Sequence, residues 1–269
     1  LMASYPSMYS MYFNAFNGFQ SKEVIDERPS GPRTSCPRWS LPGTPTSRRR
    51  TRLWIRYHSD GFVPFNVFNV FQCVQWFSIE GSYRRALING DMPQGTSASW
   101  FTVRQEATAT NDLVTKLKTD TANTHKELVS KVERHQDADF IILDCPPRIA
   151  EMTRAALVLS DLCLVPVGAS VAEIWATSDV LELVEQAKKV RPVDVRMVWT
   201  RHRPHTKLAK ELTALATQEL GLPILKTALA LRVAYPEALG SGLTVAEMPD
   251  ANAKAKLLKL VAEVRKIIR

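Results

Sequence analysis

From residue 80 onward, hydrophobic positions come in short β-rich runs that alternate with stretches of helical spacing. The runs predict strands, and the stretches in which apolar residues recur every three or four positions predict helices. Strands that alternate with helices are typical of βαβ units. The pattern therefore predicts an α/β fold, with a mostly parallel, doubly wound sheet and helices on both faces. Strands are predicted at Arg85–Asn89, Phe140–Leu143, Leu162–Val167, Val195–Trp199 and Ile224–Thr227.

The predicted helices lie between these strands and at the end of the chain. One of them, Leu208–Leu220, is followed by Gly221 and Pro223, which together are a good helix stop. The terminal helix has apolar residues on one face and basic residues largely off it. The other helical patterns are centred on Leu113–Leu117, Leu128–Val132, Ile149–Ser160 and Ile174–Val190.

Residues 1–79 differ from the rest of the chain. They hold 15 of the 22 aromatic residues, with 9 basic residues against 4 acidic ones. They show no sustained hydrophobic period, apart from a run at Val63–Phe77 that fits a strand or a buried helix, and no signal-peptide pattern. Two interpretations stay open, a disordered or poorly folded leader and a stretch joined on by a shifted frame or a wrong start. We predict a leader at 1–79 and a folded domain at 80–269.

Composition excludes some classes of protein. Apolar residues are 45% and charged residues 23% of the chain, and no stretch approaches the length of a membrane-spanning helix. The four cysteines have no C-x-x-C spacing, which argues against a zinc module and a disulfide scaffold and favours a reducing cytosol. The formal net charge of +8 suits a polyanionic partner without identifying one.

A strand that ends in an aspartate is the strongest chemical signal. The sequence F-I-I-L-D-C-P-P places Asp144 directly after an apolar strand and before a rigid Pro-Pro pair. Ligands bind beyond the carboxyl ends of the strands in open α/β sheets, so Asp144 is placed to hold Mg²⁺, usually through water, beside nucleotide phosphates. This is a Walker B arrangement. The alternative is that Asp144 caps a helix beginning near Arg148.

A second strand runs into a loop rich in glycine and hydroxyl residues. The loop follows Asn89 and reads G-D-M-P-Q-G-T-S-A-S-W. Such a loop is able to approach phosphates closely and to present Asp91 to a water or a metal ion. The alternative is an ordinary turn between a strand and a helix.

Together these segments resemble the ParA-type partition ATPases, the deviant Walker A class that includes MinD and Soj. Family members read like D-x-D-P-Q-G-S-A-S-x-W at the first site and end a hydrophobic strand in D-C-P-P at the second. Later segments also look familial, including Val165-Pro166-Val167, Trp175, Arg232–Tyr235 and Gly242–Val245. The resemblance covers about residues 81–267.

The resemblance implies a function and a set of site residues. It implies binding of ATP and Mg²⁺, a homodimer when nucleotide is bound, non-specific DNA binding and a ParB-like centromere-binding partner. A protein of this kind is expected in the cytoplasm, associated with the nucleoid and not with a membrane. By the same resemblance Asp91 positions the attacking water and Asp144 holds the metal. The implied nucleotide-binding residues are Pro93, Gln94, Gly95, Pro146, Thr200 and Arg201.

The sequence also departs from the family pattern. The family's phosphate loop, K-G-G-x-G-K followed by Ser or Thr, is expected near residues 50–65, where no such string is found. We therefore predict that the first β-strand and the phosphate loop are missing or replaced. At the first site, only a one-residue gap aligns Asp91 with the family's first aspartate. The string Gly221–Thr227 lacks the second glycine and runs into a strand, so it is not a phosphate loop.

Basic residues supply candidates for phosphate contacts with DNA. Such contacts are independent of sequence and sensitive to salt. The alternative for each residue is a solvated helix face, and the resemblance favours Arg232 most. The candidates are Arg201, Arg203, Lys207, Lys210, Arg232, Lys254 and Lys256.

Two other chemical patterns are weak. His202 and His205 flank Arg203-Pro204 without a third ligand, which favours surface residues over a metal site. Cys145 lies beside the predicted site but has no histidine partner, which argues against a nucleophile.

Three functions remain open at this point. The leading hypothesis is a ParA-like protein that segregates DNA in an ATP-dependent way, and whether this chain is itself an ATPase stays undecided. The alternative is a non-catalytic relative that binds DNA or acts as an adaptor. A third is another enzyme of the same nucleotide-binding class, for which the sequence shows no cysteine-ligand pattern.

Overall fold

A computed structural model of the chain describes residues 51–56, 84–91, 96–111, 114, 116–145 and 150–268. For residues 51–56 the description concerns the backbone alone. All of these residues belong to the unit Arg50–Arg269.

The described strands form one parallel sheet. Their order across the sheet is β3-β2-β4-β1-β5-β6, and neighbouring strands pair in parallel throughout. This arrangement confirms the α/β, mostly parallel fold predicted from the alternating pattern. The strands are β1 (Thr51–Arg56), β2 (Arg85–Asn89), β3 (Lys118–Thr121), β4 (Phe140–Cys145), β5 (Leu162–Gly168) and β6 (Asp194–Thr200).

Helices connect the strands, and several begin at a side-chain cap. Thr124, Ser170, Thr206 and Asp250 each accept a hydrogen bond from a backbone N–H in the first turn of the helix that follows. The helices are α1 (Thr96–Thr110), α2 (His125–Arg134), α3 (Ala150–Leu159), α4 (Val171–Thr177), α5 (Asp179–Val190), α6 (Lys207–Leu220), α7 (Ala234–Gly240) and α8 (Ala251–Ile267), with a 3₁₀ turn at Val245–Glu247.

The first β-strand, which we expected to be missing or replaced, is not missing, because residues 51–56 form β1. β1 occupies the middle of the sheet, where it pairs with β4 along its whole length and with β5 at Leu53–Ile55. At Leu53–Ile55 the backbone of β1 is therefore paired with a neighbouring strand on each side. Residues 51–56 of the expected leader therefore belong to the sheet, while the run at Val63–Phe77 lies outside the described residues.

Other elements differ from the prediction in detail. The predicted strand Ile224–Thr227 forms only an isolated bridge to Met197, with Leu225 N–H donating to Met197 C=O at 2.8 Å. The predicted helix Ile174–Val190 is divided at Ser178, whose hydroxyl donates to Trp175 C=O at 2.5 Å. The helical spacing near Leu117 gives way to β3, which the sequence did not predict.

The core lies on both faces of the sheet. On one face, Ile142, Leu164 and Val198 belong to a buried cluster that includes Trp100, Tyr235 and apolar residues of α8. Successive strand residues point to opposite faces, so the buried Ile141, Leu143 and Val165 face the other layer, where α3 packs on β4. Among the described residues no helix combines the length and apolar character that a membrane span needs.

Candidate functional site

Asp144 lies where three strands end together. Asn89 of β2 and Ile55 of β1 are both in register with Asp144 of β4, and Arg56 is in register with Cys145. The carboxyl ends of three neighbouring strands therefore meet around one carboxylate. β1 and β2 both end at this edge of the sheet.

The Asp144 carboxylate is buried and only partly hydrogen-bonded. The residue is 2% exposed, and its Oδ2 accepts a short hydrogen bond from the Ser97 hydroxyl. Its Oδ1 has no hydrogen-bond partner in the described part of the chain. Burial, and secondarily the neighbouring Asp91, raise the pKa of Asp144 to about 7, against the lowering effect of Ser97. Such a carboxylate has a free oxygen and a strong preference for a positive neighbour.

Asp91 lies in the turn that leaves β2. It is 7% exposed, and burial raises the pKa of its carboxyl. The turn is fixed because Asp91 N–H donates to Asn89 Oδ1 at 3.1 Å and Gly90 N–H donates to Asp144 C=O at 2.6 Å. A Cβ on Gly90 would lie 3.3 Å from both Asp144 O and Cys145 Sγ. The turn therefore packs closely on β4 and keeps the two aspartates near each other.

Helix α1 positions Ser97 against Asp144. Farther along the same helix, Trp100 Nε1 donates to Leu243 C=O at 3.3 Å. The fully buried Arg104 donates to Gly242 C=O at 3.0 Å and to both carboxylate oxygens of Glu247 at 3.1 and 3.0 Å. These bonds hold α1 against the loop between α7 and α8. The sequence pointed to Trp100 and Gly242–Val245 but missed Arg104.

A second group of polar residues lies at the ends of β5 and β6. Thr200 is completely buried, and its hydroxyl has no partner among the described residues. Arg201 follows with a φ of 52° and makes a short ion pair with Glu173, which also accepts from Gly168 N–H at 2.6 Å. Burial lowers the pKa of Arg201. Glu173 was not identified from the sequence, since nothing in its neighbourhood marks it as the partner of Arg201.

The predicted site residues are thus only partly brought together. Asp91, Asp144 and Ser97 are neighbours, whereas Thr200 and Arg201 lie at the end of β6, which is separated from β4 by the two strands β1 and β5. Pro93, Gln94, Gly95 and Pro146 lie outside the described residues.

The donors around Asp144 fit a divalent cation better than they fit a phosphate. Carboxylate and hydroxyl oxygens are the ligands that Mg²⁺ prefers, and Asp144 Oδ1 is left available. No basic side chain among the described residues lowers the pKa of Asp144. Residues 57–83, which lie between β1 and Arg84, contain neither lysine nor arginine. Arg84, just before β2, pairs with Asp139. The family's phosphate-loop lysine thus has no counterpart in residues 57–83.

The candidate DNA-binding residues fall at the β6 end and on α8. Arg203, Lys207 and Lys210 are exposed in or near the start of α6. Arg232 is held by two hydrogen bonds to Asp250, at 2.7 and 3.2 Å, and Asp250 in turn caps α8. Lys254 and Lys256 are exposed in the first turns of α8. The basic residues differ in how freely they could contact a partner, because Arg201 and Arg232 already have acidic partners.

Cys145 is the last residue of β4 and directly follows Asp144. Its side chain is buried. Among the described residues there is no group of three or more His, Cys, Asp or Glu side chains arranged to hold a metal ion. A cation at Asp144 would therefore depend on water or on a bound ligand for most of its coordination.

Comparisons with known proteins agree with the motifs. A family model described as an AAA domain matches residues 104–196. The Maintenance of carboxysome distribution protein A of Halothiobacillus neapolitanus is 28% identical over 112 residues, which are 41% of this chain and 51% of that protein. The chain thus spans about half the length of the curated relative it matches.

Solved structures show the same fold. A plasmid partition protein from Borrelia burgdorferi, bound to AMPPNP, superposes with a TM-score of 0.61 at 14% identity, covering 81% of this chain and 100% of that one. McdA from Cyanothece, in a complex with ATP, gives a TM-score of 0.60 at 16% identity, covering 81% and 96%. The resemblance seen in the sequence motifs is confirmed by these matches.

Proposed function

We propose that this chain, a relative of the ParA-type partition ATPases, is a positioning protein that binds a nucleotide with Mg²⁺ at the carboxyl edge of its sheet. The observation that carries the proposal is the buried Asp144 carboxylate, with one oxygen bonded to Ser97 and the other without a partner. It lies beside the end of the central strand β1. In open α/β sheets, this is the position where ligands bind.

Each residue of the edge has a separate role in the proposal. A bound Mg²⁺–ATP would supply a phosphoanhydride whose charge the cation neutralises. Asp144 would hold the cation through water, and the Ser97 hydroxyl would fix the orientation of the carboxylate. Asp91 would orient a water molecule. Thr200 and Arg201, at the end of β6, would contact the rest of the nucleotide.

We propose that the protein binds DNA non-specifically and that DNA is the surface on which it is positioned. The exposed Arg203, Lys207, Lys210, Lys254 and Lys256 support phosphate contacts that do not depend on sequence. A nucleotide-dependent homodimer, a ParB-like partner and association with the nucleoid complete the proposal, and they rest on the family resemblance.

A second candidate function is a relative that binds DNA without turning over ATP. The observation in its favour is the lack of any lysine or arginine in residues 57–83. Without a cation from these residues, the charge on the transferred phosphoryl group would be poorly stabilised. Phosphoryl transfer depends on such stabilisation, so the rate would fall by several orders of magnitude.

One experiment separates the two candidates. DNA binding is measured over a salt series with and without ATP and Mg²⁺, and phosphate release is measured in the same samples. The first candidate predicts phosphate release, lost in Asp144→Ala, and DNA affinity that depends on ATP. The second predicts salt-sensitive DNA binding that ATP does not change. Asp137→Ala, which removes an exposed carboxylate, is the matched control. DNA binding that does not weaken with salt would contradict both.

A further inference from the structure

An open groove lies on the surface of α6, next to the loop that follows β6. Its volume is about 750 Å³. One wall is the loop after β6, and the other is the exposed side of the helix. We call it the α6 groove, and its lining residues are His202, Pro204, His205, Ala209, Lys210, Thr213, Ala214, Thr217 and Gln218.

The groove is basic on one side. His202, His205 and Lys210 line it, whereas no aspartate or glutamate does. Lys210 has no acidic partner among the described residues, in contrast to Lys207, whose Nζ lies 3.6 Å from Glu211. Burial, and then the neighbouring His205, lower the pKa of His202. The permanent charge in the groove is therefore that of Lys210.

The floor of the groove is small and largely apolar. Ala209 and Ala214 contribute methyl groups, and Pro204 adds its ring to the lining. The hydroxyls of Thr213 and Thr217 donate to Ala209 C=O and Thr213 C=O, each at 2.8 Å, so their protons are used within the helix. Such a floor accommodates an apolar side chain rather than a chain of polar groups.

The groove is preformed. Thr206 caps α6, and the buried Leu212, Ala216 and Leu220, which do not line the groove, fix the helix to the core. The loop wall is held because His202 N–H donates to Leu229 C=O at 3.0 Å, and the His202 ring lies 5.8 Å from the ring of Trp199. A ligand therefore would not need to order either wall, which lowers the cost of binding.

We propose that the α6 groove is the docking site for an acidic peptide segment of a partner protein. A carboxylate of the peptide would lie beside Lys210 and His205, and an aliphatic side chain would cover Ala209 and Ala214. Charge complementarity selects an acidic occupant over a basic one. The largely apolar lining favours a peptide over DNA, because DNA phosphates bind to basic side chains rather than to apolar surface.

The probe is a phage-displayed library of random dodecapeptides, selected on the full chain. We expect the selected peptides to combine aspartate or glutamate with leucine, isoleucine or valine. Binding of a selected synthetic peptide is then measured by fluorescence anisotropy. Ala214→Trp fills the groove from an exposed position and should weaken binding roughly tenfold or more. Lys210→Glu should do the same and should restore some binding of a peptide whose acids are changed to lysine.

Matched controls keep the test specific. Leu208→Trp places the same ring on an exposed position of α6 outside the groove, and Lys189→Glu makes the same charge change on α5, so both should bind like the parent chain. Selected peptides without acids, or equal binding to Ala214→Trp, would overturn the proposal. So would a DNA duplex whose own binding is weakened by Ala214→Trp and that displaces the peptide, because the groove would then be a nucleic-acid site.

Discussion

At the scale of single residues, the ionisation of Asp144 is the feature with the largest expected effect. The pKa of this carboxyl is raised from 3.8 to about 7 by burial and by Asp91. Between these two values the unfolded chain loses the proton while the folded chain keeps it. Stability is therefore expected to fall as pH rises through this window, and the full cost of about 4 kcal/mol is present above pH 7.

Asp144→Asn removes this cost. The variant should gain up to about 4 kcal/mol in free energy of unfolding above neutral pH and nothing near the pKa of the unfolded carboxyl. Urea unfolding at a series of pH values, without divalent cations, measures the difference between the two proteins. A difference that does not change with pH would contradict the burial of an ionisable Asp144. Added Mg²⁺ should stabilise the parent chain and leave the variant unchanged.

Substitutions at two glycines with similar φ values distinguish the cost of backbone strain from the cost of a steric clash. Gly221 and Gly242 have φ values of 60° and 65°. A Cβ on Gly221 would meet nothing within 4 Å, whereas on Gly242 it would lie 2.5 Å from the backbone nitrogen of Arg104. Gly221→Ala should cost about 1 to 2 kcal/mol from backbone strain alone. Gly242→Ala should cost clearly more in thermal unfolding, and equal losses would show that α1 does not pack on this loop as described.

At the scale of elements, α1 links the Asp144 edge to the loop before α8. Arg104 is 1% exposed at its side chain and makes a two-point ion pair with Glu247, whose pKa it lowers against the opposing effect of burial. Replacing Arg104 with methionine would leave Glu247 without its partner in a half-buried position. The expected loss is about 3 to 5 kcal/mol in free energy of unfolding.

The control for Arg104 is an exposed arginine with an ion pair of its own. Arg134 contacts Asp120 at 3.2 Å with 61% of its side chain exposed. Arg134→Met should cost no more than about 1 kcal/mol. Similar losses for the two variants, measured by urea unfolding, would mean that Arg104 does not anchor α1. Because Ser97 lies on the same helix, Arg104→Met should also weaken any binding of Mg²⁺ at Asp144.

Strand β1 supplies a further test at the same scale. It is paired on both sides at Ile55, so a proline there removes a backbone donor and disrupts the middle of the sheet. Ile55→Pro should abolish cooperative unfolding or lower stability by about 3 kcal/mol or more. Near-UV circular dichroism and urea unfolding measure the loss. An unchanged protein would show that residues 51–56 are not part of the sheet.

At the scale of the whole molecule, the strands that the sequence predicted best are those that are buried on both faces of the sheet. β4 and β5 are buried at every position and read as continuous apolar runs, which a parallel sheet requires. β1 reads T-R-L-W-I-R, with arginines near both ends, and lies in a segment without the family's motif. Its place in the sheet follows from pairing with distant strands, which local pattern does not encode.

The site was predictable to a similar degree. The position of Asp144 at the carboxyl edge of the sheet was predictable, because a carboxylate that ends an apolar strand has a fixed place in an α/β sheet. The pairing of Arg201 with Glu173, and of Arg232 with Asp250, was not, since both join residues that only the folded chain brings together. Two of the predicted DNA contacts thus involve arginines that already have acidic partners.

The most direct test of the account is calorimetric titration of ATP with Mg²⁺ into the 269-residue chain, with Asp144→Ala as the comparison. The account predicts binding that requires Mg²⁺, strengthens as pH rises through about 7, and is lost in the variant. Equal binding by both proteins, or no binding by either at millimolar ATP, would contradict a nucleotide site built on Asp144.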